Sequence, residues 1–333
     1  MSKFSFCGRR LAAILAALAL ALGALTAPAA PARADDYPSR LIKLIVPFGA
    51  GGQPDVVARV FAQYFQNKLG PTVVDNHPGG NTTLGAAAAA AAKPDGYTLF
   101  FGSSTSLAIA PALNQNAGYD PVKSFTPIAG ISSSPMYLTV GPSVAASTIT
   151  AFIDYAKANP GKLNFAAPTG GPPHLSGEMF KRAVGIDIVP VFYGSMNQAF
   201  TDTMGGRMDI VFDSPAAIAA LLREGKLRAL VVMAGRRMAS LPDVPTMAES
   251  GLPDLHVVTW NGLVAPAGTP DAIVRKLNAT VNEALSSPEI RDVFAKFSSE
   301  PLGGTPVAFA AFIAAESKKW SDIIRLSGVQ TEP

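Results

Sequence analysis

The sequence predicts an α/β protein of two lobes with doubly wound sheets, and three observations carry that prediction. Residues 41–102 read strand, helix, strand, helix, strand, the order that winds a parallel sheet. A plan of strand, glycine-rich turn and helix recurs at LIKLIVPFGAGGQPD, KLNFAAPTGGPPHLS and IVPVFYGS. The later copies lie within the chain, and the segment after them returns to helices without a glycine turn, so a second α/β unit is nested inside the first. The boundaries expected are 35–138 plus 258–333 for domain 1 and 139–257 for domain 2.

Residues 1–34 stand apart from the fold. Lys3, Arg9 and Arg10 precede the apolar run LAAILAALALALGALTA, and Ala32-Arg33-Ala34 places small residues at the cleavage positions of a secretory signal peptide. Export with cleavage near Ala34 is expected. The apolar run is shorter than a typical span, and no later run approaches the roughly 18 apolar residues that a span needs, so a soluble mature chain is expected. Cys7, the only cysteine, leaves with the leader, which removes disulfides, thiol catalysis and thiolate metal sites together. Also lost are 4 of the 27 basic residues (Lys3, Arg9, Arg10 and Arg33) and none of the 24 acidic ones, leaving a net charge of −1. That balance gives no support for nucleic-acid binding. The 299 residues that remain are enough for about two domains with ample core.

In chain order, Leu41–Val46 is an apolar, β-branched run that reads as a buried strand, and PFGAGGQP breaks it. From Asp55, the residues Val56, Val57, Val60, Phe61, Tyr64, Phe65 and Leu69 recur at helical spacing until Gly70. A strand at 71–76, an alanine-rich helix at Thr82–Lys93 and a strand at 97–101 follow, the last running into a loop at Gly102–Ser106. Two short strands are expected around Thr126–Ile131 and Met136–Val140, then a helix at Ser147–Asn159. In the second unit, strands at 162–167, 188–192, 208–213 and 227–233 alternate with helices that begin near His174, end near Met204 and begin at Pro215. The segment 257–270 leads into helices at Asp271–Leu285, Pro288–Phe297 and Thr305 to about Leu326, assigned to cover the first lobe.

The turns set the chemistry. A glycine turn opening a helix leaves the first backbone N–H groups unpaired, with roughly half a positive charge from the macrodipole, and an anion fits there. The bland alternative is a tight connection and nothing more. Nucleotide fingerprints fail: Pro54 stands where the third glycine of a dinucleotide turn belongs, and no lysine or hydroxyl residue lies in the turn. His77, His174 and His256 form no metal-ligand spacing and no G-x-S-x-G elbow occurs, so no metal, no cofactor and no nucleophile-base pair is expected. His174 either faces the crevice or bonds to nearby backbone at its helix start, while His77 and His256 read as surface residues. Asp55 either offsets its helix dipole or contacts ligand, and Asp213, at a strand end on the same edge, accepts from a ligand ammonium, a water or Ser214. Phe48 and Tyr193 are crevice walls or lobe core. The turns carry no lysine or arginine, so a carboxylate would be held by neutral donors. At about 1.5–3 kcal/mol per bond, three or four cover the roughly 8 kcal/mol of a micromolar ligand.

VPFGAGGQPDVVAR, KPDGYTLFFGSS, YDPVKSFTPI, NPGKLNFAA, LPDVPTMAESGLPD, WNGLVAPAGTPDAIVRKLN and EPLGGTP together closely resemble the Bug proteins, the TctC-like periplasmic binding components of tripartite tricarboxylate transporters. The similarity runs from about Tyr37 to Gly328. It implies a type II, Venus-flytrap periplasmic binding fold that captures a small organic carboxylate and hands it to integral-membrane transporter subunits, with no enzymatic activity and a monomeric state. By position, the resemblance implies ligand contacts at Phe48, Gly49, Gly51, Gly52, Asp55, Ser103 and Ser104, and from the other lobe at Thr169, Gly170, His174, Tyr193 and Asp213. The chain departs from the family at Gly49, Leu107, Ala110 and Gly194, where proline, histidine, asparagine and a basic residue are common. Those losses remove polar groups and leave room for an aromatic acid beside dicarboxylates and tricarboxylates. Two other functions stand as alternatives: a ligand sensor read by a membrane-bound signalling partner, and a hydrolase, for which the nucleophile is missing.

Overall fold

The structure, a computed structural model, describes residues 37–114, 116–253 and 255–329. The expected leader, residues 1–34 with Cys7, lies outside them. The first unit is β1 (Ile42–Val46), α1 (Gln53–Lys68), β2 (Thr72–Asn76), α2 (Thr83–Ala90) and β3 (Thr98–Ser103), followed by a π-helical turn at Thr105–Ile109, α3 (Ala110–Leu113) and the long β4 (Phe125–Pro135). Next come β5 (Tyr137–Val140), α4 (Ile149–Ala158), β6 (Asn164–Ala167), α5 (Pro172–Val184), β7 (Val189–Phe192), α6 (Met196–Met204), β8 (Ile210–Asp213), α7 (Pro215–Arg223) and β9 (Arg228–Val232). The chain closes with β10 (Val258–Pro266), α8 (Asp271–Leu285), α9 (Pro288–Lys296), β11 (Glu300–Gly303) and α10 (Pro306–Ser327).

The strands form two mixed sheets, in the orders β11-β4-β10-β3-β1-β2 and β7-β6-β8-β5-β9. Pairing is parallel where helices make the crossovers, β1 with β2 and β3, and β6 with β7 and β8. It is antiparallel where the chain returns, β10 with β3 and β4, and β5 with β8 and β9. Interior strands are apolar on both faces, as sheets covered by helices require: Leu44, Ile45 and Val46 of β1 are buried, as are Ile210, Val211 and Phe212 of β8. Among the described residues no helix is long and apolar enough to cross a membrane.

Four elements differ from the sequence reading. The expected helix from Thr82 starts one residue later, after a left-handed turn in which Asn81 (φ 50°) and Thr82 (φ 75°) follow two glycines, and it ends at Ala90, short of the expected Lys93. No loop spans Gly102–Ser106, since β3 runs to Ser103 and passes into the π-helical turn. β4 is eleven residues long instead of a short strand, because β10 pairs with it along its whole length, through two register shifts. β11 was not expected; its EPLG carries no apolar alternation and is a strand by pairing with β4 at the sheet edge.

Gly262 of β10 lies where the core allows no side chain. A Cβ there would stand 2.0 Å from Phe309 Cζ, and that ring is buried, edge-to-face with Trp260 at 5.9 Å and beside Phe312. Gly262→Ala is expected to destabilise the protein by at least about 1–3 kcal/mol through overpacking. The check is the urea midpoint, and a midpoint equal to the wild type's would show the ring free to yield.

Candidate functional site

Asp55 ties the first glycine turn to its surroundings. This residue, 2 % exposed, accepts at Oδ2 from the Gly51 N–H (2.8 Å) and Arg59 Nε (2.9 Å), and at Oδ1 from Asn76 Nδ2 (2.8 Å). Asn76 Nδ2 also donates to the Phe48 carbonyl at 3.0 Å, which ties the end of β2 to the turn after β1. Burial by itself raises the Asp55 carboxyl, but Arg59, the Gly51 amide and Asn76 outweigh it and hold the group below its ordinary range. The Gly51 amide is therefore committed inside the loop. The amides of Gln53 and Asp55, in the first turn of α1, have no carbonyl within the helix, and Pro54 has no N–H to leave unpaired. Gly49, Gly51 and Gly52 are exposed.

This turn forms one side of a cavity of about 160 Å³ lined by Phe48, Gln53, Pro54, Ser103, Ser104, Thr105, Ser132, Ser134, Pro172, Thr259, Trp260 and Asn261. Sheet register builds its polar side. Asn261 of β10 pairs with Ser103 on one flank and Ser132 on the other, and Thr259 pairs with Ser134. Residues two apart share a face, so hydroxyls and an amide collect there while the Trp260 indole donates to Glu316 Oε2 at 3.0 Å. Ser103 and Ser106 satisfy each other, the Ser103 N–H donating to Ser106 Oγ at 2.8 Å. Gln53 Nε2 donates to Ser299 Oγ (3.0 Å), which lies 2.9 Å from Ser134 Oγ. No charged side chain lines the cavity.

Pro172, from the first turn of α5, is the one lining residue contributed by the second sheet's elements. The turn before it is closed by His174, 3 % exposed, whose Nδ1 accepts from the Gly170 N–H at 3.1 Å, Gly170 having φ 68°. Burial lowers the His174 pKa to about 4, helped by Lys181, so the ring is neutral and carries its proton on Nε2. Thr169 is exposed on the same turn. Tyr193 turns away: its hydroxyl donates to Asp202 Oδ2 at 2.8 Å and its ring joins the cluster around Phe200 and Met238. Asp213 ends β8 opposite Tyr137 in register and accepts from the Ser214 N–H at 2.7 Å. It is partly exposed by area yet crowded enough that desolvation pushes its pKa up to about 6, against the pull of Ser214.

Of the residues expected at the site, the cavity lining brings together Phe48, Ser103 and Ser104; Gly49, Gly51, Gly52 and Asp55 shape the turn beside it. Thr169, Gly170 and His174 lie on the turn leading to Pro172, while Tyr193 and Asp213 sit at the ends of neighbouring strands outside the lining. Sequence reasoning missed Gln53, Ser132, Ser134, Thr259 and Asn261. The available signal was the serine run Ser132–Ser134 interrupting an otherwise apolar strand. Among the described residues no cluster of His, Cys, Asp or Glu is placed to hold a metal ion.

Comparison with known proteins adds three findings. The profile of the tripartite tricarboxylate transporter family receptor matches residues 57–329. Protein BugT of Bordetella pertussis is 36% identical over 305 residues, which cover 91% of this chain and 94% of BugT. Two solved structures from Rhodopseudomonas palustris are similar throughout. MatC with bound malate has 33% identity and a TM-score of 0.72 over 86% of this chain and 100% of its own. A second, with adipate, has 32% identity and a TM-score of 0.76 over 89% and 99%.

Two substitutions test this geometry. Asp55→Ala strands the Gly51 amide and Asn76 and is expected to cost about 2 kcal/mol or more by chemical denaturation. Because the folded pKa of Asp55 lies below the unfolded one, that contribution is present above about pH 4 and lost as pH falls through the folded value. The Asp213→Asn variant should behave oppositely. The folded pKa near 6 exceeds the unfolded value of 3.8, so stability favouring the protonated group is present below about pH 4 and lost as pH rises through 6. The variant's Tm relative to wild type should therefore rise between pH 4 and pH 8; a constant difference would mean that Asp213 titrates normally.

Proposed function

The chain belongs to the tripartite tricarboxylate transporter receptor family, and from that premise we propose that it is an exported solute-binding protein that closes its two lobes on a small organic carboxylate and delivers it to membrane subunits of such a transporter. The family and its structural neighbours are periplasmic solute-binding proteins and not enzymes. The neighbours with bound malate and adipate support a carboxylate as the ligand class. Export by the N-terminal leader, with cleavage near Ala34, a monomeric state and independence from any cofactor are parts of the same proposal.

One observation carries the ligand chemistry: the cavity offers hydroxyls, amides and a helix start, and no fixed charge. Such a site holds an anion by several neutral hydrogen bonds, each about 1.5–3 kcal/mol. On this reading Phe48, Gly49, Gly52, Ser103 and Ser104 contact the ligand from the first lobe and Thr169, His174 and Asp213 from the second, with Asp55, Gly51, Gly170 and Tyr193 holding the turns in place. We assign the first lobe to residues 38–135 plus 258–329 and the second to 137–257, the chain crossing next to Met136 and Val257.

The test is a thermal-shift and calorimetric screen of organic acids on the mature protein. At a hundredfold excess over Kd a true ligand should add about 2.7 kcal/mol of stability. Ser104→Ala should weaken that ligand about tenfold to a hundredfold with the unliganded Tm within a few degrees of wild type. Failure of every carboxylate to stabilise the protein would overturn the proposal.

A further inference from the structure

We infer, resting on the carboxylate reading above, that β10 makes the cavity select an acid that also carries a hydroxyl group, with Thr259 and Asn261 as the residues that read it. The two lie two apart on β10 and so share the face that lines the cavity. The protons of both side chains are spent on backbone carbonyls: Thr259 Oγ1 donates to the Ser134 carbonyl at 3.2 Å, and Asn261 Nδ2 to the Gly102 carbonyl at 3.5 Å. A carbonyl oxygen only accepts, so the direction of each bond is fixed. What remains for the cavity is the lone pairs of Thr259 Oγ1 and Asn261 Oδ1, and among the described residues neither oxygen receives a hydrogen bond.

The flanking strands differ from β10. Ser104, just past the end of β3, and Ser132, in register with Asn261 on β4, are 2 % and 3 % exposed and line the cavity. Among the described residues neither hydroxyl has a hydrogen-bond partner, so each keeps a proton to give. Sheet order therefore sorts the site, since β4, β10, β3 and β1 lie side by side. The start of α1 and Ser104 place donors on the β1 and β3 side, and β10 presents acceptors. A carboxylate only accepts: it belongs with the donors, and against β10 it would set lone pairs facing lone pairs. An ammonium only donates, and with no charged side chain lining the cavity it would be buried unpaired. A hydroxyl does both, donating to Thr259 or Asn261 and accepting from Ser132. An acid without one covers the β10 oxygens and gives them nothing, and burying an acceptor unpaired is what lets such a site reject the analogue that lacks the hydroxyl.

The experiment is calorimetry of the mature wild type, Thr259→Val, Thr259→Ser and Asn261→Leu with acids that differ by one group: lactate against propanoate, malate against succinate, and aspartate as the ammonium counterpart of malate. The wild type is expected to bind the hydroxy acid of a pair at least about tenfold more tightly than its plain partner, and malate more tightly than aspartate. Thr259→Val should bring that ratio close to one by weakening the hydroxy acid alone, and Thr259→Ser should keep it; Asn261→Leu gives the same reading if Thr259→Val does not fold. A wild type that binds both members of each pair equally, or favours succinate or aspartate over malate, overturns this inference and leaves the carboxylate reading intact. So do variants that weaken both members alike. Binding of no acid at all overturns both.

Discussion

The crevice depends on one buried carboxylate. A chain leaving β1 through Phe48, three exposed glycines and a proline has little to order it, because glycine loses the most conformational freedom on folding. Asp55 supplies the order from the first turn of the helix that the glycines lead into. It gathers the Gly51 amide, Arg59 and Asn76 onto its two oxygens, and Asn76 passes the restraint to the Phe48 carbonyl. The dipole of α1 and the charge of Arg59 both favour the ionised form, which repays a burial that would otherwise be unfavourable. Charge is thus spent beneath the turn, and the turn presents only neutral groups to the cavity.

Under the proposed function, that separation would let the site hold an acid and release it. A fixed arginine in the crevice would bind any carboxylate strongly, open or closed, and would oppose the release that the proposed delivery requires. Neutral donors divided between two lobes act together only when the lobes meet. Ser103, Ser104 and the start of α1 belong to one side, Pro172 and the His174 turn to the other. On the proposed reading the affinity of either half alone would be modest, and the difference between halves and whole would drive closure, since a ligand shifts a conformational equilibrium only by its differential affinity. The low pKa of His174 serves the same end, keeping that ring a neutral donor through the physiological range.

How far the sequence alone discloses this depends on whether a feature has a local cause. The strand, glycine turn and helix units are local, and so the opening stretch, the turn before Pro172 and helices such as Asp271–Leu285 are legible from periodicity and caps. Antiparallel pairing across long separations is not local. The residues Ser132, Ser134, Thr259 and Asn261 meet only because β10 returns between β3 and β4, which no window of sequence around any of them contains. β11 is a strand for the same reason. The direction of Tyr193 is equally illegible: beside a glycine at a strand end it reads as a crevice wall, but Asp202, two turns into the next helix, captures its hydroxyl. Resemblance points to the turns and says nothing of which group in each turn is already bonded, as the Gly51 amide is to Asp55.

The segments that cross between the two sheets are joined by a backbone motif. Met136 donates its amide to the Val257 carbonyl at 2.9 Å, Val257 donates to Met233 at 2.9 Å, and Met233 donates to Met136 at 2.8 Å, a closed ring of three backbone bonds among buried residues. Breaking any one would leave a buried amide unpaired at about 1–3 kcal/mol, so the ring fixes the crossing segments to one another. Two further ties cross between the lobes at exposed positions: Arg236 to Glu300 at 2.6 Å, and Arg182 Nη1 to the Leu326 carbonyl at 2.9 Å. Exposed pairs of this kind contribute little each. Between the two sheets the main bond is apolar: Phe152, Phe165, Phe180 and Phe212 belong to the same buried cluster as Phe100, Trp260, Phe309 and Trp320, so the two parts share one core beside the crossing segments.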